Sequence, residues 1–279
     1  MTAPEEPETT GEFTSAVAYS ARVNNYWQGG KDHFATDRQA AEQAVDAFPG
    51  LPAAVKTGAA FRQRVIRYLV SDGVRQFLDL GCGLPAGDPP HAMAQALDPG
   101  CHVCYVDDDP MAITHAQALY ASAPEGRVGF VQADVRDTAQ VLDAAAGTLD
   151  FDQPTAVFMV SLLHLIPDDT QARRLVAAVL DETAPGSYLV LVHPASDIRP
   201  EASGKMQSRL NDLVAQQRKY RDHTQVSAFF DGLTLVEPGV VQPPAWRPYG
   251  ADDAKTPTIA WAGVARKPVR SAAARFDRD

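Results

Sequence analysis

The run Phe77-Leu78-Asp79-Leu80-Gly81-Cys82-Gly83-Leu84-Pro85 constrains this chain more than any other segment. An apolar strand enters two glycines one residue apart, and a helix is expected beyond them. Gly81 and Gly83 accept backbone angles closed to other residues and let a ligand approach the main chain. Around this turn, strand and helix signals alternate. Residues 74–80, 102–106, 128–132, 155–161 and 187–193 are short apolar runs rich in β-branched side chains. Between them lie helix starts: Asp88 before Pro89, Asp109 before Pro110, Asp137, and Pro167 with Asp168 and Asp169, the last helix stopping by Gly186. This alternation predicts a parallel sheet covered on both faces, a doubly wound α/β fold that binds ligands at its carboxyl edge.

The two ends of the chain break the alternation. Ahead of it, helices are expected over residues 20–27, about 36–48 and about 52–72. Gly29-Gly30 stops the first, and a Thr36-x-x-Gln39 capping box opens the second. The third carries Val55, Phe61, Val65, Tyr68 and Leu69 on one face, with Arg62, Arg64 and Arg67 elsewhere and Gly73 as its stop. After the fifth strand come a polar helix over 201–220 and a short one capped by Thr224. Strands over 233–241 and 258–266 are expected to pair antiparallel at the sheet edge. The expectation is a mostly parallel seven-stranded sheet with a C-terminal antiparallel edge hairpin and an N-terminal helical extension. Its parts are a flexible leader (1–12), the helical extension or lid (13–73), the sheet domain (74–268) and a frayed tail (269–279).

Charge bears on partners. With 25 basic and 35 acidic residues the net charge is −10, a sign that repels phosphate backbones and anionic membrane surfaces. No run approaches the roughly 18 apolar residues of a membrane helix, and the acidic, proline-containing start lacks signal-peptide character. A cytoplasmic protein is the expectation. There are three cysteines. Cys101-His102-Val103-Cys104 offers metal-like spacing, but it reads as a strand, where positions three apart face opposite ways, so no metal site is expected.

Asp79 narrows the ligand. A carboxylate two residues before the first glycine repels a pyrophosphate and attracts an ammonium or sulfonium group. The third glycine is Gly87, giving G-x-G-x-x-x-G instead of the dinucleotide pattern G-x-G-x-x-G. The next strand ends at Asp107, the expected grip on two ribose hydroxyls. A cationic nucleoside fits these residues better than NAD.

The chain resembles the Rossmann-like, S-adenosylmethionine-dependent methyltransferases. More narrowly, it resembles an actinobacterial methyltransferase family first catalogued as a domain of unknown function. That resemblance rests on ARVNNYWQGGKDHFATDR, FLDLGCGLP, VCYVDDDP, QADVRD, LLHLIPDD, APGSYLVLVH, and VEPGVV with WRP. It implies S-adenosyl-L-methionine as cofactor and a small-molecule acceptor that the residues do not identify. It also implies that Asp79, Gly81 and Gly83 hold the methionine portion and Asp107 the ribose, with Asp108 beside it. Asp134 would accept from the adenine amino group while the Val135 amide reaches the ring, and Ser161 would line the same pocket. Capping or turn chemistry is the other reading of Asp134, and a solvated turn that of Asp108.

Three further expectations concern the acceptor side. Tyr26, Trp27 and Phe34 flank Gly29-Gly30-Lys31-Asp32, so this segment is read either as a lid over cofactor and acceptor, with Lys31 and Asp32 facing the site and Tyr26 at the cofactor, or as aromatic packing on the sheet. His164, after the fourth strand, is a candidate general base or a structural histidine. Arg247 either packs the last connection with Trp246 or meets an anionic acceptor. A sensor that binds the cofactor without turnover and an NAD(P)-dependent oxidoreductase are the rival functions. No G-x-S-x-G elbow and no phosphate-cradling G-x-x-x-x-G-K-[ST] are present.

Overall fold

The computed structural model describes residues 15–250 and 252–269, so the expected leader and nearly all of the expected tail lie outside the described residues. Five strands, β1 (Gln76–Leu80), β2 (His102–Asp107), β3 (Arg127–Gln132), β4 (Thr155–Val160) and β5 (Tyr188–Pro194), run parallel. β6 (Thr234–Leu235) and β7 (Ala260–Arg266) complete one sheet in the order β3-β2-β1-β4-β5-β7-β6, and β7 lies antiparallel to both β5 and β6. The order in which successive strands are added reverses between β1 and β4, which makes their carboxyl ends the topological switch point where such sheets bind ligands.

Strand alternation sends Leu78, Leu80, Cys104 and Val106 into one core and Phe77, Val103 and Tyr105 into the other. Cys101 and Cys104 fall into opposite cores, both fully buried, as a strand reading of their spacing requires. The first core is covered by α6 (Thr138–Ala145) and α7 (Asp169–Asp181). The second is covered by α3 (Leu51–Ser71) and α4 (Pro90–Leu97), while α5 (Pro110–Leu119) packs against β2 and β3. Asp109, Asp137 and Asp168 cap their helices as expected, accepting from Met111, Gln140 and Gln171 amides at 2.9, 3.2 and 2.7 Å.

A third apolar cluster joins α1 (Ser20–Gln28), α2 (Ala35–Ala47) and α8 (Pro200–Leu213) through Val23, Ala41, Ala44, Met206 and Leu210. It holds the N-terminal helices above the sheet's carboxyl edge.

Several local expectations shift. α2 begins at Ala35, because the fully buried Asp37 carboxylate accepts the Phe34 amide at 2.8 Å and the Tyr19 amide at 2.9 Å. Thr36 instead donates its hydroxyl to the Ser15 carbonyl. α4 starts at Pro90, one residue later than the Asp88-Pro89 signal, since Pro90 drives Pro89 into extended geometry (ψ 147°). α8 ends at Leu213, not 220: the Asn211 side chain bonds both the Arg218 amide and carbonyl and folds the chain back. Asp222, two residues before Thr224, caps α9 (His223–Ser227), accepting the Gln225 amide at 2.8 Å. The edge hairpin forms, but β6 keeps two residues. Pro238, Pro243 and Pro244 have no amide hydrogens for a ladder, and Val241 makes only an isolated bridge to Ala262.

Candidate functional site

A cavity of about 1120 Å³ opens at the carboxyl ends of β1, β2, β3 and β4, beneath α1. The glycine turn forms its floor. Gly81 and Cys82 both donate their amides to the Val106 carbonyl, at 2.9 and 3.1 Å, which ties the turn to β2. Gly81 (φ 69°) has no room for a side chain: a Cβ there would lie 2.8 Å from Leu162 Cδ1. Gly83 (φ 67°) is the opposite case, with open space where its Cβ would be. Its bare backbone is therefore accessible from the cavity.

Asp79 is 2% exposed and shares the Phe77 face of β1, which α3 covers. Burial pushes its carboxyl pKa up, against the pull of Arg62. Arg62 Nη1 donates to Asp79 Oδ2 at 3.3 Å and also lines the cavity. Helical periodicity sets Arg62 with Arg64 and Arg67 off the apolar face of α3, and nothing local marks it as a site residue. α3 leads directly into β1 and so returns along it. At about 1.5 Å per helical residue against about 3.3 Å per strand residue, position 62 comes level with position 79. Arg64 is buried too, donating to the Trp246 and Pro243 carbonyls at 2.9 and 2.6 Å.

Asp107 ends β2 and is 6% exposed. It accepts the Gly83 amide on Oδ2 at 2.8 Å and the Asp109 amide on Oδ1 at 3.0 Å. Burial outweighs both bonds and raises its pKa to about 7. Asp108 faces the same cavity and accepts the Tyr19 hydroxyl at 3.1 Å; burial raises its pKa as well. Asp134 follows β3. Burial acts to raise its pKa, but the Arg136 guanidinium and amide overcome it and lower the pKa. Arg136 supplies donors to both Asp134 oxygens, so it must move before Asp134 can accept from a ligand. Val135 and Ser161 complete this wall, and Ser161 holds a positive φ of 58°.

His164 lies in the short turn Leu163–Leu165 after β4, 8% exposed and lining the cavity. Its Nδ1 has no hydrogen-bond partner. Burial, with Arg218, His193 and Arg221 around it, drives its pKa well below the ordinary histidine value, so the ring is neutral.

Two lid expectations are not met. α1 does roof the cavity, but through Asn24, Trp27 and Gln28. Tyr26, two positions from Asn24, points to another side of the helix, donates to Glu42 Oε1 at 3.1 Å and packs edge-on against His33. Asp32 stands 3.7 Å from His115 Nδ1, outside the cavity lining. Arg247 is also elsewhere, bonded to the Glu237 carbonyl and stacked 4.2 Å over the Tyr68 ring. Trp246 beside it is fully buried against Phe61 and Tyr68.

A mixed seven-stranded sheet with an antiparallel final pair and a carboxylate-lined glycine turn at its switch point defines the Rossmann-like methyltransferase class. The chain belongs to the S-adenosyl methyltransferase family, whose profile matches residues 7–268. It is similar to a DUF574-family protein of Streptomyces avermitilis, with 34% identity, 91% of this chain and 99% of that one covered, and a TM-score of 0.86. A candidate methyltransferase of Thermobifida fusca shows 34% identity over 91% of this chain and 96% of its own, with a TM-score of 0.83. Among curated proteins none matches the chain.

Proposed function

We propose that this protein moves the methyl group of S-adenosyl-L-methionine to a small-molecule acceptor within the cavity. The observation that carries this is the pairing of a carboxylate wall, Asp79, Asp107, Asp108 and Asp134, with the open Gly83 backbone. A diphosphate would meet repulsion along that wall, whereas a cationic nucleoside fits it. The Asp79–Arg62 pair offers one acceptor and one cationic donor side by side, the complement of an amino acid's ammonium and carboxylate. Asp107 and Asp108 present acceptors for a ribose diol, and Asp134 with the Val135 amide suits an adenine edge once Arg136 swings aside.

When bound, the sulfonium supplies an already activated methyl group, so the protein's task is alignment and exclusion of water. α1 closes the cavity from above, and the neutral His164 ring lines it. The volume exceeds the roughly 300–1,000 Å³ usual for one drug-sized ligand, leaving room for an acceptor.

Calorimetric titration with S-adenosylmethionine, S-adenosylhomocysteine and NAD tests the reading. The two adenosyl ligands should bind and NAD should not; preference for NAD sinks it. Binding with no transfer to any acceptor tried would instead favour a sensor.

A further inference from the structure

The cavity has a second pole with the opposite chemistry. Arg218, 4% exposed, lines it from the irregular stretch between α8 and α9. The other cavity arginines, Arg62 and Arg136, each hold a carboxylate. Arg218 holds none among the described residues. Its Nη2 donates to Ser20 Oγ at 3.0 Å and to the Gln216 carbonyl at 3.4 Å, and its buried Nε has no acceptor. A buried cation held by neutral oxygens alone is costly, and an anion beside it relieves that cost.

His164, with its unpartnered Nδ1, stands at the same pole. Tyr220 completes it, its phenol kept protonated by burial, which pushes its pKa up to about 12. The backbone explains the grouping. The Lys219 amide donates to the His164 carbonyl at 2.8 Å and the Arg221 amide to the Pro194 carbonyl at 3.3 Å. These bonds pin residues 218–221 across the ends of β4 and β5, on the other side of the switch point from the acidic wall.

We propose that this pole is the acceptor subsite and that it takes a small carboxylate-bearing molecule, its anion paired with Arg218 while His164 faces the group to be methylated. The inference rests on the methyltransferase reading of the cavity. It assigns to Arg218 the anion-binding role for which Arg247 was a sequence candidate.

Calorimetry with benzoate and para-hydroxybenzoate, against benzamide and para-hydroxybenzamide, tests it with and without S-adenosylhomocysteine. The carboxylates should bind at least about tenfold more tightly than the amides, and benzoate should shift the Arg218 Nε–H resonance. Arg218→Gln should abolish the preference and Arg218→Lys retain it, with S-adenosylhomocysteine affinity unchanged in both. Equal binding of acid and amide, no carboxylate bound at millimolar concentration, or a preference surviving in Arg218→Gln overturns the proposal. If Arg218→Gln does not fold, the wild-type acid–amide comparison and the Arg218 resonance decide it alone. Loss of S-adenosylhomocysteine binding by the wild type would strike the methyltransferase reading instead, and the two failures read out separately.

Discussion

Asp107 shows how one residue serves the fold and the site at once. Its carboxylate bridges the glycine turn and the start of α5, and burial lifts its pKa to about 7. An aspartate so raised holds its proton more tightly when folded than when unfolded. Its contribution to stability is therefore complete below the ordinary value of 3.8 and lost as pH rises to about 7. A carbon-13 titration should find one aspartate carboxyl titrating near that pH, while titration near 4 would contradict the burial argument. If the ionised form grips a ribose, affinity for S-adenosylmethionine should rise as pH climbs through the same value. Gly81 is legible on other grounds. Gly81→Ala forces a side chain onto Leu162 at a positive φ and should cost about 1–3 kcal/mol in chemical denaturation. The sequence pointed to both residues because glycine spacing and strand ends are local. It could not reveal Arg62 or Arg218, whose partners lie across the fold.

Among the elements, one buried carboxylate ties together the starts of the two N-terminal helices at the roof of the cavity. Asp37 accepts the Tyr19 and Phe34 amides and lies 3.6 Å from Arg22 Nε, joining the starts of α1 and α2. Asp37→Ala leaves those buried donors unmet and should destabilise by about 2–4 kcal/mol. Hydrogen exchange should quicken in α1 and α2 while β1, β4 and β5 stay protected; uniform loss would show that the roof and sheet unfold together. Arg221 plays the matching role beyond the ends of β4 and β5. It is 1% exposed, donates to the Leu163 and Ile166 carbonyls at 2.8 Å each, and pairs with Asp169 at 2.9 Å. Arg221→Met should cost about 1–3 kcal/mol by thermal or denaturant melting, because the buried Leu163 and Ile166 carbonyls lose their donor while Asp169 keeps Lys219 at 2.8 Å. Helix starts marked by Asp109, Asp137 and Asp168 were readable because a cap is a contact over two or three residues. The Asp88 and Thr224 signals misled where a neighbouring Pro-Pro pair or a nearer aspartate competed.

At the level of the whole molecule, charge and topology act together. A net charge of −10 surrounds a cavity whose near wall is acidic, so a polyanion has no attractive approach. Gel-shift titration with duplex DNA at physiological salt should show no complex at micromolar protein; a salt-sensitive complex would reverse that view. Within this field Arg218, buried and bonded to Ser20 of α1, is a local exception. No helix of the described residues is long and apolar enough to cross a membrane.

The alternation of strands and helices, the carboxyl-edge glycine turn and the family were written in the chain itself, because alternation, caps and glycine spacing are near-neighbour chemistry. Which side chains meet inside the cavity was decided only by the tertiary structure. Tyr26 turns away and Trp27 turns in because packing in the third apolar cluster sets the rotation of α1, while α3 lying along β1 brings in Arg62 and backbone bonds to His164 and Pro194 bring in Arg218. Those are contacts between residues far apart in sequence, and no local pattern encodes them.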